Sequence, residues 1–201
     1  IIREPSFRVD EKKDVVCLDG KKVIAKKFQY VLLHKPGGYV TTVSDRFAEK
    51  TVFDLLPLCY SHLAPVGRLD KDTEGLLLFT NDGDLAYRLT HPKFNVYKKY
   101  FVRISGLLKE SQKERIQKGV VVDDKKTAPA KIENIIWRGN ETELFLTIHE
   151  GRKRQIRLMF PQVGHSVVYL RRVMQGPLQL GDLKKGQYRE LKDFEVELLK
   201  K

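Results

Sequence analysis

Apolar and polar positions change their spacing several times along the chain, and each change predicts an element. Residues 30–33 (YVLL) form an apolar run stopped by Pro36-Gly37-Gly38, which predicts a strand and then a turn. A second compact run, 76–79 (LLLF), predicts a buried strand followed by a turn at Asn81-Asp82-Gly83. Asp84 is then expected to cap a short helix that reaches Thr90 and closes before Pro92. Thr51 with Asp54, and Ser111 with Glu114, have the spacing of capping boxes, so short helices are expected up to Pro57 and up to Gly119. Residues 100–104, 120–122, 130–137 and 143–149 read as further strands. Between 151 and 163, Ile156, Met159, Phe160 and Val163 recur on one face of a predicted helix. Gly176, Gly181 and Gly186 punctuate a loop-rich stretch before a last strand near 189–191.

Strands and helices do not alternate regularly, which favours a mixed α+β fold over a doubly wound sheet. Residues 1–27 hold only small apolar patches, Val15-Val16 and Val23-Ile24, around an Asp19-Gly20 turn. They predict one short hairpin, too little for a domain. The rest, 28–201, reads as one unit in which a subdomain boundary near Asn95 is the only candidate break. With 201 residues the chain is long enough to bury about 70% of its unfolded surface without a disulfide or metal staple.

Charge sharpens this picture. Lys plus Arg number 38 against 26 Asp plus Glu, a net charge of +12, and such a balance points to a polyanionic partner such as nucleic acid. No apolar run approaches the roughly 18 residues of a membrane span, and no signal peptide is visible. Cys17 and Cys59 cannot build a disulfide framework and neither sits in a CxxC, so a reducing, cytoplasmic setting is the expectation. The five histidines show no metal spacing, and no Walker loop, GxGxxG or GxSxG occurs.

Three segments concentrate chemistry. In 67–80, GRLDKDTEGLLLFT, Asp70, Asp72 and Glu74 stand at alternate positions before a buried strand. They fit a solvated acidic loop, the start of a calcium loop, or a catalytic carboxylate with Arg68 beside it. The calcium reading fails at its twelfth position, Asn81, where a bidentate Glu belongs. In 151–160, GRKRQIRLMF, Arg152, Lys153, Arg154 and Arg157 interleave with apolar residues. At least one arginine is expected to turn inward, where it needs a carboxylate. An Arg–Asp pair would keep that Asp ionised where water is excluded, and so usable as a nucleophile. In 97–101, YKKYF, an aromatic in a basic setting is either a plain strand residue or a platform for a nucleobase.

The ordered set of these segments resembles the ribosomal RNA pseudouridine synthases of the small-subunit and large-subunit type. It runs from LHKPGGYVTT (33–42) through GRLDKDTEGLLLFTNDGDLAYRLTHP (67–92), KKYFVRISG (98–106), TAPAKI (127–132) and TIHEGRKRQIRLMFPQVGH (147–165) to GPLQLGDLKKGQYREL (176–191). The resemblance implies a catalytic domain over 28–201 with a mixed, mainly antiparallel sheet flanked by helices and a central active cleft. It implies that 1–27 are the remnant of an N-terminal alpha-L RNA-binding module. It implies isomerisation of a uridine in ribosomal RNA, leaning towards the large subunit through TAPAKI and HEGRKRQIR, with no cofactor, no metal and a monomeric enzyme. By resemblance Asp70 is the attacking aspartate, Arg157 its partner, and Tyr100 the ring that stacks on the uracil. Arg68 fills the space left by the flipped base, Lys98 has a structural or electrostatic role, and Arg152, Lys153 and Arg154 bind RNA.

Leu158 and Tyr97 depart from the family pattern, and Pro161 falls inside the predicted helix, where it frees the carbonyl of Arg157 unless the helix starts late. Two other functions fit parts of the pattern. A non-catalytic RNA-binding or ribosome-assembly protein would not need Asp70, Tyr100 and Arg157 together. A metal-dependent nuclease built on Asp70, Asp72 and Glu74 would need those three carboxylates to converge.

Overall fold

The computed structural model describes residues 4, 7–10, 13–23, 27–42 and 50–200. Among them, β1 (Cys17–Leu18) and β2 (Lys21–Lys22) form the expected hairpin, with Asp19 and Gly20 both at positive φ, 50° and 75°. Two positive φ values in a two-residue loop match the twist of the strands they join. Ile24 lies outside the described residues.

The main sheet contains β3 (Tyr30–Lys35), β4 (Ala64–Pro65), β5 (Glu74–Thr80), β6 (Lys98–Ser105), β9 (Lys131–Arg138), β10 (Glu141–Ile148), β11 (Val167–Gln175), β12 (Leu178–Gln179) and β13 (Tyr188–Glu190). A separate small hairpin pairs β7 (Val121–Val122) with β8 (Lys125–Lys126). The main order is β13-β3-β5-β11-β6-β10-β9, with β4 on β5 and β12 on β11. Every pairing is antiparallel except β5 with β11. The fold is therefore α+β with a mixed, mainly antiparallel sheet, as expected. The sheet continues across Asn95 through the β5–β11 seam.

Burial differs along the sheet for a reason visible in the residues. The apolar runs of β3 and β5 are covered on both faces. Val31, Leu33, Leu77 and Phe79 face one core, and Leu32, Leu76 and Leu78 face another. The second core is closed by α1 (Gly83–Thr90) and α4 (Asp193–Lys200), through Leu85, Leu89 and Leu199. β6 and β10 alternate strictly, burying Tyr100, Val102 and Ile104 against Leu144 and Leu146. Over that face lie α2 (Glu110–Lys118) and α3 (Gln155–Met159), which continues as a 3-10 turn, Phe160–Val163. Each fully buried Leu or Phe contributes about 1.5–3 kcal/mol relative to exposure.

At the seam, Gly75 has a φ of 109°, and a Cβ there would meet the carbonyl oxygen of Arg172. The two strands approach this closely because position 75 has no side chain.

Several boundaries correct the expectations. The cap of α1 is Asp82, whose Oδ1 accepts from Leu85 N at 3.0 Å, rather than Asp84. Asp82 is itself held by the Tyr30 hydroxyl at 2.8 Å, which fixes it in the capping position. α2 starts after Lys109, where Gln112 Oε1 accepts from Lys109 N at 2.9 Å, so Ser111 and Glu114 lie inside the helix. The 151–163 helix starts late, at Gln155, because Arg154 is left-handed at φ 53°. Pro161 then falls in the 3-10 turn, where the tighter bonding accommodates it. β11 and α4 were not expected at all. The short helix after Thr51 is present as a 3-10 turn, Val52–Leu55, with Thr51 N donating to Asp54 Oδ2 at 2.6 Å.

Candidate active site

A cleft of about 700 Å³ opens where the 66–73 loop, the start of β6, the end of β11 and the 149–156 segment meet. Asp70, Arg68, Lys98, Tyr100, Arg152, Lys153 and Arg154 all line it. These residues come from three separate stretches of sequence, 68–70, 98–100 and 152–154, which the fold brings to one cleft.

The loop bearing Asp70 is fixed from below by a residue that the sequence reading missed. Lys35, at the end of β3, is fully buried. Its ammonium donates to the carbonyls of Pro36, Asp70, Lys71 and Thr73 at 2.8–3.2 Å. Burial pushes its pKa down to about 8, against the pull of Asp72, Glu74 and Asp70. Three carbonyls of the aspartate loop and that of Pro36 share the three donors of one buried ammonium. This ties the loop to the end of β3, because pulling the loop away would leave the buried charge without partners. Thr41 adds a second clamp. Its Oγ1 donates to Leu69 O at 2.9 Å and accepts from Leu69 N at 3.2 Å. Gly38 N donates to Lys71 O at 2.8 Å. The turn KPGGYVTT, which carries no reacting group, is thereby the mould in which the aspartate loop is cast. The one faint signal for Lys35 was its place between the apolar run 30–33 and Pro36-Gly37, although a lysine there is ordinarily read as a surface residue.

The three alternating carboxylates diverge. Asp70 is half-buried at the cleft, and its side chain forms no ion pair or hydrogen bond among the described residues. Asp72 turns towards α3, where Arg154 Nη1 lies 3.3 Å from Oδ1 and Arg157 Nε 3.2 Å from Oδ2. Glu74 turns to the opposite face of the sheet, held by Tyr169 and by Lys185 at 2.8 Å. Among the described residues no cluster of His, Cys, Asp and Glu has the arrangement of a metal site. The convergence that a carboxylate-bridged nuclease needs is missing.

Arg157 departs from expectation. Its inward turn and carboxylate partner are as anticipated, but the partner is Asp72, not Asp70. Its Nη2 also donates to Asp72 O at 3.0 Å, and its Nη1 to Val167 O at 3.3 Å. The tight turn closed by Thr73 N on Asp70 O, at 3.0 Å, separates the two aspartates and sends the second towards the helix. Arg157 therefore stitches α3, the aspartate loop and the start of β11 together, and does not line the cleft.

Tyr100 and Lys98 are buried side chains on the cleft side of β6. Lys98 Nζ donates to Val96 O at 3.0 Å, and its pKa is pushed down to about 8 by burial and then by the nearby Arg172 charge. Arg172, on β11, is almost fully buried and donates through Nε to Leu76 O at 2.8 Å. It was not anticipated, because β11 was not.

Arg152, Lys153 and Arg154 do not ride on a helix as expected; they form the loop ahead of it. Arg152 donates to the carbonyls of Lys125 and Lys126 at 3.0 and 2.8 Å and pairs with Glu150. Glu150 Oε1 accepts from Ala128 N at 2.9 Å and from the Gln155 amide, which ties the TAPAKI segment to the basic loop. Lys153 and Arg154 are exposed. Cys17 and Cys59 are free thiols at the surface. No helix among the described residues is long and apolar enough to cross a membrane.

Residues 29–162 match the family described as RNA pseudouridylate synthase. The chain is 38% identical over 189 residues to ribosomal large subunit pseudouridine synthase B of Bacillus subtilis, covering 93% of this chain and 78% of that protein. It is 37% identical over 193 residues to ribosomal large subunit pseudouridine synthase E of Vibrio parahaemolyticus, covering 89% and 77%. A crystal structure of a pseudouridylate synthase superposes with a TM-score of 0.79 at 31% identity, covering 99% of this chain and 85% of that one. With a family match over more than half of its length and relatives of this identity aligned over most of both chains, the chain belongs to the RNA pseudouridylate synthase family.

Proposed function

We propose that the protein isomerises a uridine of ribosomal RNA, in the large subunit, to pseudouridine, with Asp70 as the reacting carboxylate. The observation that carries this is the position of Asp70. Its carboxylate is unpaired at a cleft whose floor holds Tyr100 and two buried cations, Lys98 and Arg172. The relatives named for the large subunit support that choice of RNA.

The reaction breaks the N1–C1′ bond, turns the uracil and forms a C5–C1′ bond, while the C5 proton is lost and N1 gains one. No atom is gained or lost overall. The uridine must first leave its stack, at a cost of a few kcal/mol that contacts in the pocket offset. Tyr100 supplies a ring for the flipped base, and Arg68, exposed at the rim, takes the place it vacates. Asp70 serves either as the nucleophile at C1′ or as the counter-charge for a sugar cation. Lys35 and Arg157 are positioning residues, holding the loop from below and from the side. Lys153 and Arg154 contact phosphates, with Arg154 exchanging Asp72 for RNA.

The test is tritium release from ribosomal RNA transcripts labelled at uracil C5, with wild type and Asp70→Asn side by side. Release by wild type alone, from the large-subunit transcript, supports the reading. No release from transcripts of either subunit, with RNA binding intact, would favour a protein that only binds RNA.

A further inference from the structure

The cleft floor contains polar atoms that the reading above does not use. Gln175 is 1% exposed and its Oε1 has no hydrogen-bond partner. Arg172 is 3% exposed, and while Nε is bonded to Leu76 O, Nη2 has no partner. Both side chains line the cleft. Strict alternation along a strand would send residues 172 and 175 to opposite faces. The register of β11 against β6 shifts between Arg172 and Met174, and this bulge returns both side chains to the cleft side. Across the ladder Arg172 pairs with Tyr100, and Gln175 with Lys98. An unpaired acceptor, an unpaired donor and an ammonium with donors to spare therefore surround the ring on which the base would stack.

We propose that these groups read the Watson–Crick edge of the flipped uracil: Gln175 Oε1 accepts from N3–H, while Arg172 Nη2 and Lys98 Nζ donate to the two flanking carbonyls. This rests on the uridine isomerisation proposed above. Uracil presents acceptor, donor, acceptor along O2, N3–H and O4. Buried polar groups that lack protein partners are satisfied by such an edge and left unpaired by a wrong one.

The proposal also accounts for a demand peculiar to the reaction. Turning the base about its N3–C6 axis exchanges N1 with C5 and O2 with O4, while N3 stays in place. The edge after rotation is again acceptor, donor, acceptor. A donor–acceptor–donor floor holds the base equally before and after the turn, with N3–H on Gln175 as the pivot. Cytosine has no such symmetry, because its N4 amine would face a donor and its N3 would face the acceptor.

The test compares wild type, Gln175→Met and Gln175→Glu on large-subunit ribosomal RNA transcripts labelled at uracil C5. Single-turnover tritium release, filter binding of the same transcripts and thermal unfolding are measured for each. Gln175→Met keeps the side-chain length and loses the oxygen. Its release rate is expected to fall at least about tenfold, with transcript affinity within about threefold of wild type. Gln175→Glu keeps an acceptor and is expected to recover most of that loss. Arg172→Lys, which keeps one cationic donor, is expected to retain more activity than Arg172→Met. A Gln175→Met rate within twofold of wild type would overturn the proposal. So would equal losses in Gln175→Met and Gln175→Glu. Absence of release by wild type on transcripts of both subunits would instead remove the isomerase reading, and this inference with it.

Discussion

The two walls of the cleft are built on opposite principles. The aspartate wall, 69–73, is fixed from inside the protein by the fully buried Lys35 and by Thr41. The basic wall, 150–154, is fixed mostly at the surface, through Arg152 on the β7–β8 hairpin and Arg154 on Asp72. Bonds of the first kind are expensive to break because they leave buried groups unpaired. Those of the second kind are worth about 0–1 kcal/mol and are readily exchanged for phosphates. The molecule thus holds the proposed reacting carboxylate, Asp70, on a fixed loop and leaves the proposed RNA contacts, Lys153 and Arg154, adjustable.

The largest effect expected is on chemistry. Asp70→Asn removes the only charge that the aspartate wall offers the cleft, and tritium release is expected to fall by more than about 10³-fold, with transcript affinity and unfolding temperature near wild type. If release persists, the wall does not carry the reacting group. Next comes the support beneath it. Lys35→Met leaves four carbonyls without this donor and is expected to cost about 1–3 kcal/mol, seen as a lower midpoint in urea. A cost below about 1 kcal/mol would show that the wall stands without its internal clamp.

Substitutions on the other wall are expected to behave in the opposite way. Lys153→Ala and Arg154→Ala would leave stability within about 0.5 kcal/mol. Each is expected to weaken transcript binding and reduce the salt slope by about one. Filter binding between low and moderate salt checks this, and an unchanged slope would detach that residue from phosphate.

The smallest effect concerns Lys98. Its folded pKa, near 8, lies below the ordinary lysine value of 10.5, so between those values the unfolded chain binds more protons. Stability is then expected to rise with pH across that window, and Lys98→Met to flatten the rise. Lys35 adds a change of the same sign, so the comparison is made in its presence. Urea unfolding at pH 7.5, 9 and 10.5 measures it, and parallel profiles for the two proteins would exclude the contribution.

Reading from sequence succeeded where pattern and geometry share a period. β3, β5, β6, β9 and β10 show as apolar runs or alternation because burial on two faces or on one leaves just those signatures. β11 did not show, since two adjacent arginines occupy its middle and its bulge breaks the period of two. α4 did not show because DFEVELLK is short and heavily charged. The cleft's half-buried Asp70 and its exposed Arg68 and Lys153 lie in recognisable motifs. Its buried polar groups, Lys35, Arg172 and Gln175, do not announce themselves, because a lysine or glutamine is ordinarily read as a surface residue. The exchange of Asp70 for Asp72 as the partner of Arg157 had no sequence signal either. Two aspartates two positions apart are equivalent until the turn between them is known.

Gly75 touches no RNA in the proposed arrangement and carries no side chain, yet it sets the width of the sheet at the one parallel seam. Any larger residue would push Arg172 away from β5, and with it the floor on which the base is to rest. In a saturation screen scored on pseudouridine formation, position 75 would therefore score like a catalytic residue, although what the screen detects there is a distance between two backbones.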